Sequence, residues 1–390
     1  MRGLHERRIL GSIILCCLCI IVLTRCITPY EPSETTSSKG LLVIEAYIIA
    51  PIGSSIKISK SIGLQDPSDY EKVSNAKITI ISDKGDIIAN AYEYQAGEYL
   101  INTPIAFLPD TKYALDIVIG NTHLQSVFEE PLITPQIDEL TWASKSDGYE
   151  VDILLSTHDP LQKTKYYLWR YEENWEYTAP LYTEDRWDPN RRRVVSTTNT
   201  DNVFYCWNNS YSKSLILGNT QTLQAGVLKN KIIANLKSGD TRFSHLYSIL
   251  VKQYAVPYEA YKYYENLYTN VNESGSLFAP MPTEMEGNIK NLTNPDEPVI
   301  GYALLSTETT DRIYIYGKDV PLMNKKTGAE CQIGPEPEDD VSTPEKAYQA
   351  GWGISLKDDN RYEYRRLNCL DCRLGGGNKN KPYFWPTNHF

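Results

Sequence analysis

Short runs rich in apolar and β-branched residues, in places alternating with polar ones at a period of two, recur along this chain between Gly, Asn, Asp, Ser and Pro. That period marks half-buried strands. Residues 41–48 form the first run, and residues 55–59 alternate strictly. Residues 73–80 follow, closed by the turn Ser82-Asp83-Lys84-Gly85, and the pattern continues at 97–101, 113–119 and 123–128. About seven short strands at regular spacing predict an Ig-like or transthyretin-like β-sandwich over 40–134. Pro131 and Pro135 punctuate a boundary, and strand pattern restarts at 137–142, 149–155 and 166–171. It resumes at 231–235, 246–254, 299–306 and 312–316. The expected fold class is therefore mainly β, with a second, larger β-sandwich-type domain over 135–390.

One helix insertion is expected in that second domain. Pro257 suits a first helical position, and Ala260, Tyr261, Tyr264, Leu267, Tyr268 and Val271 recur at helical spacing before Asn272-Glu273-Ser274-Gly275. Such a Tyr stripe reads as a core face with phenol tips reaching solvent. Residues 334–350 are Pro- and acid-rich and read as a surface loop.

The N-terminus departs from the period of two. Residues 9–23 are apolar except for Gly11 and Ser12, and Arg2, Arg7 and Arg8 precede them. This is the charged and apolar order of a secretory signal, short of the roughly 20 apolar residues that span a bilayer. Leu23-Thr24-Arg25-Cys26 resembles the bacterial lipobox, so residues 1–25 are expected to be a signal peptide and Cys26 the lipidated residue. Arg25 departs from that pattern, which places a small residue before the cysteine. The alternative is an uncleaved anchor helix; either way the body lies outside the cytoplasm. Residues 26–39, rich in Pro, Ser and Thr, read as a flexible tether.

Charge narrows the function classes. Removing residues 1–25 takes four arginines and Glu6 from totals of 39 basic and 49 acidic residues, leaving 35 against 48, a net −13. Such a body has no general attraction for nucleic acid. The mature cysteines beyond Cys26 are Cys206, Cys331, Cys369 and Cys372. In an oxidising compartment they suggest up to two disulfides, with three connectivities open. Links among Cys331, Cys369 and Cys372 are favoured over a partner for Cys206. Half a zinc site at Cys369 and Cys372 is the alternative, but no second C-x-x-C or paired His spacing accompanies it.

Catalytic signals are weak. The mature histidines are His123, His158, His245 and His389, and none lies four residues from another. There is no nucleophile elbow, phosphate loop or dinucleotide fingerprint. His158-Asp159-Pro160 reads as a turn. The carboxylate pairs Glu172/Glu173 and Asp185/Asp188 leave open a hydrolase with an unfamiliar site. No cofactor and no metal are expected, and the chain is expected not to be an enzyme.

The aromatic segment is more suggestive. Tyr166, Tyr167, Trp169, Tyr171, Trp175, Tyr177, Tyr182 and Trp187 crowd together with Arg170, Arg186 and Arg191-Arg192-Arg193. Flat rings and arginines enrich at recognition surfaces, so Tyr167, Trp169, Tyr171, Trp175, Tyr177 and Trp187 are candidate ligand contacts for a glycan, a peptide or a partner protein. The alternative is a pair of core strands with a long polar hairpin. Between Cys372 and Trp385, Gly375-Gly376-Gly377 permits a tight loop or an anion nest. The favoured reading is a disulfide-pinned loop with Tyr383, Phe384 and Trp385 docked on the body.

The lipobox-like start, Leu42-Val43-Ile44-Glu45-Ala46, Cys206-Trp207, the run from Tyr247 to Tyr254, Gly275-Ser276-Leu277-Phe278, the run from Asn294 to Tyr302 and the tail from Cys372 to Trp385 together carry a resemblance. On these residues the chain resembles a Bacteroidota outer-membrane lipoprotein family defined by a domain of unknown function, DUF4249. The resemblance implies a place beside TonB-dependent outer-membrane receptors, hence a non-catalytic, substrate-binding accessory role in nutrient uptake. It also implies attachment to the outer membrane through the N-terminal lipid. It brings no catalytic residues. A structural or assembly lipoprotein of the envelope is the other expectation.

Overall fold

Alternation builds the strands and turn residues end them. The computed structural model describes residues 40–62, 70–198, 203–239, 241–273, 287–323, 331, 340–358 and 361–386. The expected signal peptide, Cys26, the 26–39 tether and His389 lie outside the described residues. In chain order the strands are β1 (Leu42–Ala50), β2 (Gly53–Lys60), β3 (Glu71–Lys72), β4 (Lys77–Ser82), β5 (Ile87–Asn90), β6 (Tyr92–Gln95), β7 (Glu98–Ile101), β8 (Tyr113–Ile119), β9 (Thr122–Ser126), β10 (Ile137–Ser144), β11 (Glu150–His158), β12 (Tyr166–Thr178), β13 (Asp185–Asp188), β14 (Arg193–Ser196), β15 (Tyr205–Tyr211), β16 (Ile216–Asn219), β17 (Val227–Lys237), β18 (Leu246–Val256), β19 (Ile289–Asn291), β20 (Ile300–Tyr316), β21 (Trp352–Asp358) and β22 (Arg361–Arg366). The helices are α1 (Tyr258–Glu273) and α2 (Pro344–Gln349).

Ten strands form one sheet in the order β15-β12-β18-β20-β1-β2-β7-β6, with β16 beside β12 and β3 beside β2. Two smaller sheets, β19-β9-β8-β4-β5 and β10-β11-β17, pack against it; β13-β14 and β21-β22 are separate hairpins.

Strand β20 is the join. Its first half runs parallel to β1, with Val43 opposite Ile300 and Ala50 opposite Thr307. Its second half runs antiparallel to β18, from Glu308 opposite Tyr254 to Tyr316 opposite Leu246. Gly301 permits the close approach to β1: its φ is +131°, and a Cβ there would lie 1.8 Å from the Ile44 carbonyl oxygen. The N-terminal sandwich is therefore not complete over 40–134. It also takes β19, paired to β9, and the first half of β20.

Period-two alternation sorts the side chains of the large sheet between its faces. On one face Ile44, Ile56, Ile58, Ala303 and Leu305 meet Ile78, Ile80, Leu115 and Ile117 of the five-stranded sheet. Further along, Tyr167, Trp169, Tyr247, Ile249, Val251 and Ile315 meet Val151, Ile153, Leu155 and Ile233 of the three-stranded sheet. On the other face Tyr302, Leu304, Leu168, Tyr254 and Val256 pack with Ala260, Tyr261 and Tyr264 of α1. Two sandwiches thus share one sheet. The Tyr stripe of α1 is a core face, with Tyr268 at its margin 46% exposed. Asp159 ends β11 in the expected turn, accepting the Leu161 and Thr164 amides at 2.9 and 2.7 Å.

Several expectations are corrected. Within 334–350, residues 344–349 form helix α2, whose N-cap Thr343 accepts the Lys346 amide. Strand β12 runs on to Thr178, well past the expected 166–171. Cys206 has a partner: the disulfides are Cys206–Cys372 and Cys331–Cys369, with Cα separations of 5.8 and 5.9 Å. The chain between β15 and the C-terminus returns to lie across β12, which brings Cys372 to Cys206. Gly377 serves that return by its size, since a Cβ would meet the Tyr177 hydroxyl at 2.4 Å and Cys206 Cβ at 2.7 Å. Beyond it Trp385 is buried and donates to Glu176 at 3.0 Å. Phe384 lies 3.7 Å under the Arg312 guanidinium. Tyr383 does not dock; it is 99% exposed.

Candidate functional site

Helix α1 covers one end of the large sheet's second face and the C-terminal tail covers the other. Between them lies a cleft of about 520 Å³. Its floor comes from β12, β18, β20 and β1, and its rim includes Tyr211, Ser212, Ser54 and Asn102. Cross-strand register sets Arg170 opposite Lys252 and Tyr254 opposite Glu308. Like charges directly opposite repel, yet each is answered here. Lys252 Nζ lies 2.5 Å from the Glu172 carboxylate. Arg170 lies 4.2 Å over the Tyr47 ring and donates to its hydroxyl at 3.0 Å. Tyr254 donates to Glu308 at 2.5 Å.

Burial pushes the Tyr254 phenol well above its ordinary pKa, and the Glu308 charge adds to the shift. Burial also raises Tyr47, against the pull of Arg170. Both phenols therefore stay protonated at neutral pH and keep a hydrogen to donate. The four charged side chains balance, so the cleft offers donors, acceptors and ring faces without a net field. Open polar floors flanked by aromatic rings suit hydroxyl- or amide-rich ligands.

The candidate contacts divide. Tyr167 and Trp169 are fully buried and stacked, with centroids 5.6 Å apart. Trp169 Nε1 donates to Gln253 Oε1 at 2.8 Å, and Gln253 in turn reaches Thr157 and the Pro135 carbonyl. Tyr177 is buried, its hydroxyl donating to the Cys372 carbonyl at 2.6 Å. These three are core residues, since the odd positions of β12 face the three-stranded sheet and the disulfide loop. Trp175 packs half-buried between those two cores. Tyr171 is among the residues around the cleft, but its ring packs with the Tyr167–Trp169 core on the opposite side, and Trp187 lines a different cavity beside β13. The aromatic segment is thus not one platform. Lys252, Glu308, Tyr47 and Tyr254 went unmarked in the sequence; period-two alternation puts them on one face, but only the strand order brings them together.

Neither carboxylate pair shares a space. Glu172 turns into the cleft, whereas Glu173 is buried on the opposite face, accepting Tyr247 at 2.6 Å and Arg242 at 3.1 Å. Asp188 is buried and holds the Asn190 and Arg191 amides, while Asp185 accepts from Ser196. Among the described residues no three His, Cys, Asp or Glu side chains are grouped to hold a metal ion. Nor, among them, is any helix long and apolar enough to cross a membrane.

A search of curated proteins gave no match. Residues 27–312 match a family model described as a domain of unknown function. The matched span ends inside β20 and takes in every floor strand of the cleft. It stops short of the Cys372–Trp385 tail on which part of the resemblance rested. By that match over most of its length, the chain belongs to the DUF4249 family.

Proposed function

We propose that this chain is a non-catalytic outer-membrane lipoprotein that holds a neutral, hydroxyl-rich ligand, a segment of oligosaccharide, in the sheet-face cleft. From there it passes the ligand to a TonB-dependent receptor. The observation that supports this reading is the cleft itself: two basic and two acidic side chains that balance, protonated tyrosines and the exposed Tyr211 ring at the edge of a sheet face. Sugars stack their C–H faces on such rings and hydrogen-bond to carboxylates and guanidinium groups, with no need for charge.

Titration calorimetry of the full chain in detergent against a panel of neutral oligosaccharides and short peptides tests it. At least one oligosaccharide is expected to bind saturably, and Arg170→Ala and Tyr211→Ala to weaken it by about tenfold or more each. Binding of peptides alone, or oligosaccharide binding that both variants leave intact, overturns the reading.

The anchor rests on the apolar run ahead of Cys26. Cys26→Ala is expected to abolish a globomycin-sensitive mobility shift and to free the chain from the membrane fraction. A variant that stays in the membrane with unchanged mobility removes lipidation from the proposal.

A second reading, an envelope assembly lipoprotein without a small ligand, draws on another surface. Pro131, Pro135, Pro160, Ile133 and Leu161 line an apolar groove, with Ile133 68% and Leu161 74% exposed. Contiguous apolar surface of this kind marks protein contacts.

A further inference from the structure

The covers on the sheet-face cleft act along the strands. In one direction α1 packs over Leu168, Tyr302 and Leu304, and in the other the tail sets Trp385 against Glu176. A ligand longer than the cleft therefore leaves it across the strands, toward β15 or toward β6. On the β15 side the exposed Tyr211 ring stands at the rim, opposite Glu172 of β12.

Register fixes what lies on the β6 side. Tyr47 of β1 is opposite Ser55 of β2, Ser55 is opposite Leu100 of β7, and Leu100 is opposite Tyr92 of β6. Directly opposed residues share a face, so Tyr92 stands on the face of the cleft, three strands beyond Tyr47. Ser55 and Leu100 line the cleft, as does Asn102. Asn102 Nδ2 donates to the Tyr92 hydroxyl at 2.5 Å, which ties the outlying ring to the rim. That contact uses one amide hydrogen of Asn102; a second and the carbonyl oxygen are left for a ligand. The Tyr92 ring is 45% exposed, and Ser55 and Asn102 are exposed. None of these four side chains is charged, so the extension continues the balanced floor. Neighbouring strands lie roughly 4.8 Å apart, so the seven steps from β15 to β6 cover about 34 Å. Several sugar rings in line fill such a length, and a disaccharide does not.

We propose that the ligand is a linear chain of several sugar rings lying across the strands, its far end held at an outer subsite formed by Tyr92 and Asn102. The inference rests on the oligosaccharide reading above and adds to it a direction, a length and a second point of contact. The Tyr92 ring takes the C–H face of a sugar, and the Asn102 amide bonds its hydroxyls. Such a subsite raises affinity only for a ligand long enough to reach it from the cleft.

The test is calorimetric titration of the full chain in detergent with linear neutral gluco-, manno- and xylo-oligosaccharides, from disaccharide to octasaccharide. In a series that binds, affinity is expected to climb by about tenfold or more from the shortest binding member to the octasaccharide. Tyr92→Ala and Asn102→Ala should each lower the octasaccharide's affinity by about fivefold or more and leave the shortest member's unchanged. Arg170→Ala should weaken short and long members alike. An unchanged urea midpoint shows that the variants keep the fold, as expected for exposed positions. Affinity that does not grow with length, or growth that both outer variants leave intact, overturns the subsite while the cleft reading stands. No binding by any member of any series overturns both.

Discussion

Trp169→Ala is expected to lower the stability of the fold by about 4–6 kcal/mol, enough to leave much of the chain unfolded at physiological temperature. Removing a fully buried Trp side chain typically costs about 3–5 kcal/mol in lost burial and cavity. Trp169 is completely buried and stacked on Tyr167, so the loss falls at the top of that range. The indole N–H also satisfies Gln253, which is itself wholly buried. Leaving that amide oxygen without a donor adds about 1–3 kcal/mol. A single domain has only about 5–15 kcal/mol to lose. Urea denaturation followed by Trp fluorescence and by far-ultraviolet circular dichroism measures the change. Trp187→Ala, on a half-exposed hairpin, is the matched control and should shift the midpoint far less. Equal costs at the two sites would show that Trp169 is not the core residue described above.

Removing the Cys206–Cys372 disulfide, as the double substitution Cys206→Ser with Cys372→Ser, should cost about 2–5 kcal/mol. The bond joins residues 166 apart, so it restricts a long stretch of the unfolded chain. The native consequences are local. Tyr177 loses a fixed carbonyl to donate to, and Phe384 and Trp385 lose the tether that holds the tail against β12 and β20. Proteolysis is therefore expected to remove the tail from the double variant before the body is cut. The same treatment should leave Cys331→Ser with Cys369→Ser intact at this point, because that bridge holds a different segment. If the tail of the double variant resists protease as the parent does, noncovalent contacts alone secure it.

Local chemistry made some of this fold legible and left the rest hidden. Strict alternation at 55–59 and the apolar run at 113–119 gave β2 and β8, and Tyr261 and Tyr264 at helical spacing gave α1 with its buried face. Alternation shows which residues share a face but not what covers that face. Tyr167 and Trp169 have the residue types of a recognition surface, and only the three-stranded sheet lying over them makes them core. Cys206 looked isolated because its partner lies 166 residues further along the chain. Lys252 and Glu308 read singly as solvated charges. They become one site with Arg170 because β12, β18 and β20 are neighbours, a fact of strand order rather than of spacing. The short helix α2 was obscured by the Pro and acidic residues that in fact start it.

The join at β20 also governs the order of events as the polypeptide is made. A chain that emerges N-terminus first has β1 and β2 in hand early, but the neighbour on β1's other side, Ile300 to Thr307, arrives only after some two hundred and fifty further residues. Throughout that interval β1 presents a row of unclaimed amides and carbonyls, the kind of edge that captures strands from other molecules. Release of the last third of the chain is thus the step that makes the nascent molecule safe, and a folding helper for it has its work at the edge of β1.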